Sequence, residues 1–240
     1  MSPETDADSV DSRPAATDSM DERTPNRRNG HDPAGARPMS VEEIQAAYDE
    51  HADLFHRFER VERLLTDRYR RRFFGDVDGR VLDVACGTGT NFPHFDPSVD
   101  LTGIDLSPEM LEKARERVDD LGLDGRLLQM DAQALEFEDD QFETVASALS
   151  TCTFPRPREA LREMQRVCAS DGRILLLEHG RSDVGPVARF QEWRSESHYE
   201  KAGCRWTQEP LELVESAGLE VEQSRSALFG IITAIVARPG

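Results

Sequence analysis

Apolar residues recur at helical spacing from Ser40 onward. Ile44, Ala47, Tyr48, Leu54, Phe55 and Phe58 mark one stretch, and Val61, Leu64, Leu65, Tyr69, Phe73 and Phe74 continue it. Ser40-Val-Glu-Glu43 is a capping box, in which a Ser N-cap and a Glu three residues later satisfy each other's backbone N–H. Two helices are therefore expected between Ser40 and Phe74, closed by Gly75 and Gly79. Further along, short apolar runs alternate with amphipathic ones. Strands are expected at 80–85, 100–104, 125–130, 142–149, 173–178, 219–225 and 228–237. Helices are expected at 108–121, where Ser107-Pro108-Glu109 supplies an N-cap, an N1 proline and an acidic first turn, and at 157–168 and 207–218. Strand alternating with helix, with apolar central strands, predicts an α/β fold: a doubly wound, mostly parallel seven-stranded sheet with an N-terminal helical cap.

Residues 1–38 lack this pattern. They are rich in Asp, Ser, Thr, Pro, Arg and Gly and almost devoid of large apolar side chains, so they are expected to form a disordered tail. The folded domain is expected over 39–240, with N-terminal helices at 39–75 and an acceptor-pocket insertion at 181–207.

The net charge of -18 makes nucleic acid an unexpected partner, because a duplex-binding surface must offer cations to phosphates. Lys113 and Lys201 are the only lysines among 29 basic residues. An acidic surface using Arg instead of Lys reads as adaptation to high salt, where self-repulsion is screened. Cys86, Cys152, Cys168 and Cys204 form no C-x-x-C and stand beside no His at zinc-ligand spacing, so reduced, buried thiols and no metal are expected. No run of about 18 apolar residues and no basic-then-apolar leader occurs, which predicts a cytoplasmic protein, peripheral to the membrane if its substrate is lipophilic.

The candidate chemistry begins where the first strand runs into Cys86-Gly87-Thr88-Gly89-Thr90. Two glycines let the backbone turn tightly and approach a ligand at the carboxyl end of a strand. The second strand leads to Asp105, about 20 residues on, where a carboxylate can accept hydrogen bonds from ribose hydroxyls. A dinucleotide site is disfavoured. Phe92 stands where the third glycine of G-x-G-x-x-G belongs, and Asp83, just ahead of the loop, would repel a pyrophosphate.

Val81-Leu-Asp-Val-Ala-Cys-Gly-Thr-Gly89 resembles the first motif of class I S-adenosylmethionine (SAM)-dependent methyltransferases. Gly103-Ile-Asp-Leu-Ser-Pro-Glu-Met110 resembles their second motif. Met130-Asp-Ala132, with Leu135-x-Phe137 and the strand at 142–149, resembles the third and fourth. Residues 163–173 fill the place of the turn before their fifth strand. The likeness spans about residues 45–240. It implies a Rossmann-like methyltransferase with SAM as methyl donor. Asp83, Ala85, Cys86, Gly87, Thr88 and Gly89 would surround the methionine moiety. Asp105 would hold the ribose beside Leu106 and Met110, and Asp131 and Ala132 would meet the adenine. Ser147 to Thr151 would lie near the sulfonium, and Tyr48 would close over the cofactor.

Within that family the flavour is that of ubiquinone/menaquinone and phospholipid methyltransferases, so the expected partner is a small-molecule acceptor: a quinone precursor, a phospholipid or a thiol. Leu176-Leu-Glu-His-Gly-Arg-Ser182 and Ala202-Gly-Cys-Arg-Trp-Thr207 also resemble membrane-associated thiol-methylating relatives, which often carry a hydrophobic anchor; none is expected here. Glu178 and His179, at the end of the fifth strand, are the expected catalytic residues, and His198, Tyr199 and Trp206 the expected pocket builders. The rivals are a SAM-binding regulatory protein without transferase activity, a nicotinamide-dependent oxidoreductase, and a nucleic-acid methyltransferase. The last is disfavoured by the net charge and by Leu149-Ser-Thr-Cys152, which does not read N/D-P-P-Y/F.

Overall fold

The computed structural model describes residues 39–46, 48 and 66–240. The expected tail at 1–38, and the middle of the expected N-terminal helices, lie outside the described residues.

Seven strands form one sheet: β1 (Arg80–Val84), β2 (Asp100–Asp105), β3 (Gly125–Gln129), β4 (Phe142–Ala148), β5 (Cys168–His179), β6 (Glu220–Ala227) and β7 (Ile232–Arg238). Their spatial order is β3-β2-β1-β4-β5-β7-β6, and only β7 runs antiparallel to its neighbours. The order reverses between β1 and β4, so the carboxyl ends of those strands open a crevice at a topological switch point. The expected seven-stranded, mostly parallel α/β fold is the observed one.

Among the described residues from β1 onward, four α-helices pack with the sheet: α1 (Pro108–Leu121) after β2, α2 (Pro157–Val167) after β4, and α3 (Gly185–Ala202) and α4 (Pro210–Ala217) in succession after β5. Each carries proline in its first turn, where the missing N–H leaves no hydrogen bond unmade. Side-chain alternation along the strands sorts the core into two layers. Leu82, Val84, Ile174 and Leu176 face Leu161 and Met164 of α2 and Leu213 and Val214 of α4. Val81, Leu101, Leu175 and Leu177 share the opposite layer with Leu111 and Val118 of α1 and with Phe74. Burying each such side chain is worth about 1.5–3 kcal/mol.

The capping box is formed as expected. The Ser40 N–H donates to Glu43 Oε2 at 2.8 Å, and the Glu43 N–H to Ser40 Oγ at 3.2 Å. Helix follows at 41–46, and again at 66–74. The Met39 N–H donates to the Tyr199 hydroxyl at 3.1 Å, which ties this start to α3.

Three expectations are corrected. β5 begins at Cys168, directly after α2, and not at 173. β7 begins at Ile232, because Leu228, Phe229 and Gly230 all have positive φ and make the turn from β6. The stretch read as an insertion without a helix holds α3, eighteen residues long. Its apolar residues draw no stripe: Ala188, Gln191 and Tyr199 are buried while Phe190 and Trp193 are exposed.

Candidate functional site

Beyond β1 the chain turns sharply at the carboxyl edge. Ala85 has φ +52°, Gly87 +56° and Gly89 +76°. The Cys86 N–H still reaches Ile104 O, at 2.9 Å, and the Gly87 N–H donates to Asp105 Oδ2 at 2.8 Å. The two glycines serve different ends. A Cβ on Gly89 would stand 2.4 Å from the Phe92 ring, so that glycine lets the loop pack on the short helix Phe92–His94. A Cβ on Gly87 would meet nothing within 4 Å, and it would enter open space.

Asp105 ends β2. Its second oxygen accepts from the Ser107 N–H at 2.9 Å, and Ser107 Oγ in turn caps α1 by accepting from the Met110 N–H at 3.2 Å. The carboxylate thus orients the glycine loop and the start of α1 while staying partly exposed.

The open space is a cavity of about 400 Å³ above the switch point. Tyr48, Ala85, Cys86, Gly87, Thr88, Asp105, Leu106, Met110, Asp131 and Ala132 line it, together with His179. Three expected cofactor residues stand behind the wall. Gly89 packs on Phe92 as described. Ser147 is fully buried and donates to Val84 O at 2.9 Å, bracing β4 against β1. Asp83 is also fully buried. Asn91 Nδ2 donates to its carboxylate at 2.9 and 3.2 Å, and Arg70 donates to Asn91 Oδ1. Burial pushes the Asp83 carboxyl up to about 7, with Asn91 and Arg70 pulling the other way. Asp83 faces the α1 layer because Val81 does, two residues back.

Leu149, Ser150 and His198 line the cavity as expected, Tyr199 and Trp206 do not, and residues missed from the sequence join them: Ile44, Arg70, Gln133, Cys152, Thr153, Phe154 and Cys204 among them. They come from separate segments, and no local pattern announces them. A larger cavity of about 800 Å³ lies against Tyr69, Leu175 and Val236 and includes none of the loop residues, so size alone does not mark the site.

Glu178 and His179 part company. Alternation turns Glu178 away from the cavity, and its carboxylate accepts from the Ser150 and Thr151 N–H groups at 3.2 and 3.3 Å. Burial raises its carboxyl to about 7. It holds the loop after β4 and does not reach the cavity. His179 does reach it. Its Nε2 lies 3.2 Å from Cys204 Sγ, which lies 3.4 Å from Cys152 Sγ. Burial opposes charge on His179, but the Cys204 sulfur and the Glu178 carboxylate outweigh it and raise its pKa. Cys204 is held well below the usual thiol range by its hydrogen bonds with Cys152 and the two imidazoles of His179 and His198. Cys152, His179 and Cys204 present ligand atoms within 4.8 Å of one another, a grouping that no spacing in the sequence announces. Their separation in sequence, not their chemistry, hid them.

A glycine loop after β1, an acid ending β2 and a cavity over the switch point stand together at the carboxyl edge of the sheet. Residues 81–172 match the family model described as a methyltransferase domain. A phosphatidylethanolamine N-methyltransferase from Cereibacter sphaeroides is 41% identical over 128 residues, covering 51% of this chain and 63% of the relative. A demethylmenaquinone methyltransferase from Thermus thermophilus is 34% identical over 138 residues, covering 53% and 63%. The chain thus spans less than two thirds of these curated relatives. A methyltransferase-class protein from Bacillus halodurans superposes with a TM-score of 0.56 at 26% identity, covering 63% of this chain and 68% of that one. Over the strands that carry the glycine loop and Asp105, this chain is thus similar to methyltransferases in sequence and in fold.

Proposed function

We propose that this protein transfers a methyl group from SAM to a small lipophilic acceptor that enters beside His179 and His198. The observation that carries the reading is the open cradle at Gly87, set 2.8 Å from the Asp105 carboxylate at the mouth of the cavity. The backbone there leaves room for a ligand that a side chain would fill, and the acid beside it is a ribose acceptor. The residues fit SAM. Asp105 would take the ribose hydroxyls. Leu106, Met110 and Ala132 offer apolar contact, and Asp131, ordered by hydrogen bonds from Gln133, sits where the adenine edge would lie. Ala85 to Thr88 would pass along the methionine moiety, with Tyr48 closing the near side. Asp83, Gly89 and Ser147 support that wall from behind.

Bound SAM supplies an electrophilic methyl on a good leaving group. The protein's task is then to position the acceptor in line and to exclude water. The loop 149–154, held by Glu178, and the segment 202–204 form the far wall. His179 is the lining group placed to handle an acceptor proton, and Glu178 is a positioning residue. The curated relatives named above methylate a phospholipid amine and a quinone by their names, and the apolar wall of Leu149, Phe154 and Pro155 suits such molecules. We read residues 39–240 as the working domain.

Incubation of the protein with methyl-labelled SAM and fractionated cell extract, followed by mass spectrometry, tests this. A labelled small molecule, most abundant in the lipid fraction, is expected. Tight SAM binding without any labelled product would instead mark a SAM-binding regulatory protein.

A further inference from the structure

At the acceptor end of the cavity, three side chains from three different segments meet. Cys152 follows β4, His179 ends β5, and Cys204 follows α3. The Cys204 sulfur stands 3.4 Å from Cys152 Sγ and 3.2 Å from His179 Nε2. A tetrahedral zinc ion, with Zn–S of about 2.3 Å and Zn–N of about 2.0–2.1 Å, needs its ligand atoms roughly 3.5–3.8 Å apart. The two spacings to Cys204 are a few tenths of an ångström short of that, and all three ligand atoms lie within 4.8 Å of one another, so a cation could enter with adjustment of the side chains. Two sulfurs and one imidazole are also a donor set that favours zinc over hard cations.

The three segments are cross-tied. The Arg205 N–H and Nη1 both donate to Cys152 O, at 3.0 and 3.2 Å, which fixes the two cysteine segments together. Gln208 Nε2 donates to Thr151 Oγ1 at 3.0 Å and to His179 O at 3.2 Å. Arg205 Nη2 donates to the Tyr199 hydroxyl at 3.1 Å, anchoring the same segment to α3. His198 lies against Cys204 from α3, its ring stacked on Trp206 with centroids 4.3 Å apart. Ligands supported in this way from neighbouring residues are pre-organised, as metal ligands in proteins are.

We propose that Cys152, His179 and Cys204 form a zinc site with three protein ligands and a fourth position open to the cavity. All three residues line that cavity, as does His198. Three protein ligands with one open position is the arrangement of zinc sites that act on a bound molecule, whereas purely structural sites are closed by four. The role of the site rests on the methyl-transfer reading, although its existence does not. A heteroatom of the acceptor would complete the tetrahedron and lose its proton to solvent more readily on the metal. This refines the part given to His179: its lone pair holds the cation, and the cation lowers the barrier to removing the acceptor proton.

The full chain, reduced and stripped with a chelator, is loaded with zinc, desalted and assayed for metal without SAM present. One zinc per chain is expected, with Cys152 and Cys204 protected from alkylation in the loaded wild-type protein. Cobalt loading should give sulfur-to-metal charge-transfer absorption. Cys152→Ser and Cys204→Ser should each weaken zinc binding roughly ten-fold or more. Cys168→Ser, distant from the cluster, should retain full zinc. The proposal is overturned if the reduced wild-type chain retains no zinc. It is equally overturned if zinc leaves both thiols as reactive as before, a readout that needs no variant to fold. Because SAM is absent from the assay, failure of methyl transfer and failure of the metal site are read separately.

Discussion

The Gly87 N–H donates to Asp105 Oδ2 at 2.8 Å, which joins the loop after β1 to the end of β2 across the mouth of the cavity. The bond orients the carboxylate while leaving it partly exposed to a ligand. Asp105→Ala should weaken SAM binding about 10–100-fold, since a hydrogen bond to a charged group is worth about 1.5–3 kcal/mol. Isothermal titration calorimetry checks this, and an unchanged Kd would remove the ribose role.

Gly87 and Gly89 should respond differently to alanine. At Gly89 the new methyl strikes the Phe92 ring in a left-handed backbone, so Gly89→Ala should cost about 2–4 kcal/mol of stability. At Gly87 only the left-handed backbone resists, costing about 1–2 kcal/mol, but the methyl projects into the cradle. Thermal unfolding should therefore single out Gly89→Ala, and SAM titration Gly87→Ala. Equal effects on both readouts would contradict the division.

Asp83 should leave a pH signature. Its folded-state pKa, about 7, lies above the ordinary carboxyl value, so the native state binds a proton that the unfolded chain has released. The associated stability is complete below about pH 4 and is lost as pH rises toward and through 7, with a slope of at most about 1.4 kcal/mol per pH unit. Chemical denaturation of wild type and Asp83→Asn across pH 4.5 to 8 compares the two. A wild-type profile with the same slope as the variant would count against burial as the dominant influence on Asp83.

Salt should stabilise the protein. The net charge of -18 produces self-repulsion that a Debye length of about 10 Å at 0.1 M salt screens poorly and one of about 3 Å at 1 M screens well. Differential scanning fluorimetry from low to molar salt should show Tm rising. A flat response would defeat the reading of salt adaptation.

Removal of residues 1–38 should leave SAM affinity unchanged. The described cavity lining begins at Ile44, and the ties of the chain start to α3 begin at Met39. Loss of binding on truncation would show that the working domain begins earlier.

Much of this molecule was readable from local pattern. Ser40 and Glu43 announced a capping box because its partners are three residues apart. Ser107 and Pro108 announced α1 in the same way. The helix α3 was missed because its buried face includes Gln191 and Tyr199 while Phe190 and Trp193 stay outside, so no apolar period exists to detect. Asp83 was assigned to the cofactor because its position next to the loop is a sequence fact, whereas its direction is set by the pleat of β1 and by Asn91, eight residues on. Glu178 and His179 are adjacent in sequence, yet they face opposite layers of one sheet.

The sequence by itself determined the order of the strands and of the helices other than α3, the glycine loop and the acid at the end of β2. Those features are local, and short-range sterics and hydrogen bonding specify them. Only the tertiary structure decided which face each side chain meets and which distant residues share a cavity. Cys152, His179 and Cys204 lie up to 52 positions apart and come within reach only when β4, β5 and the chain after α3 end at one edge of the sheet. The glycine loop is built from consecutive residues, and the Cys152, His179 and Cys204 corner of the cavity from the convergence of separate ones.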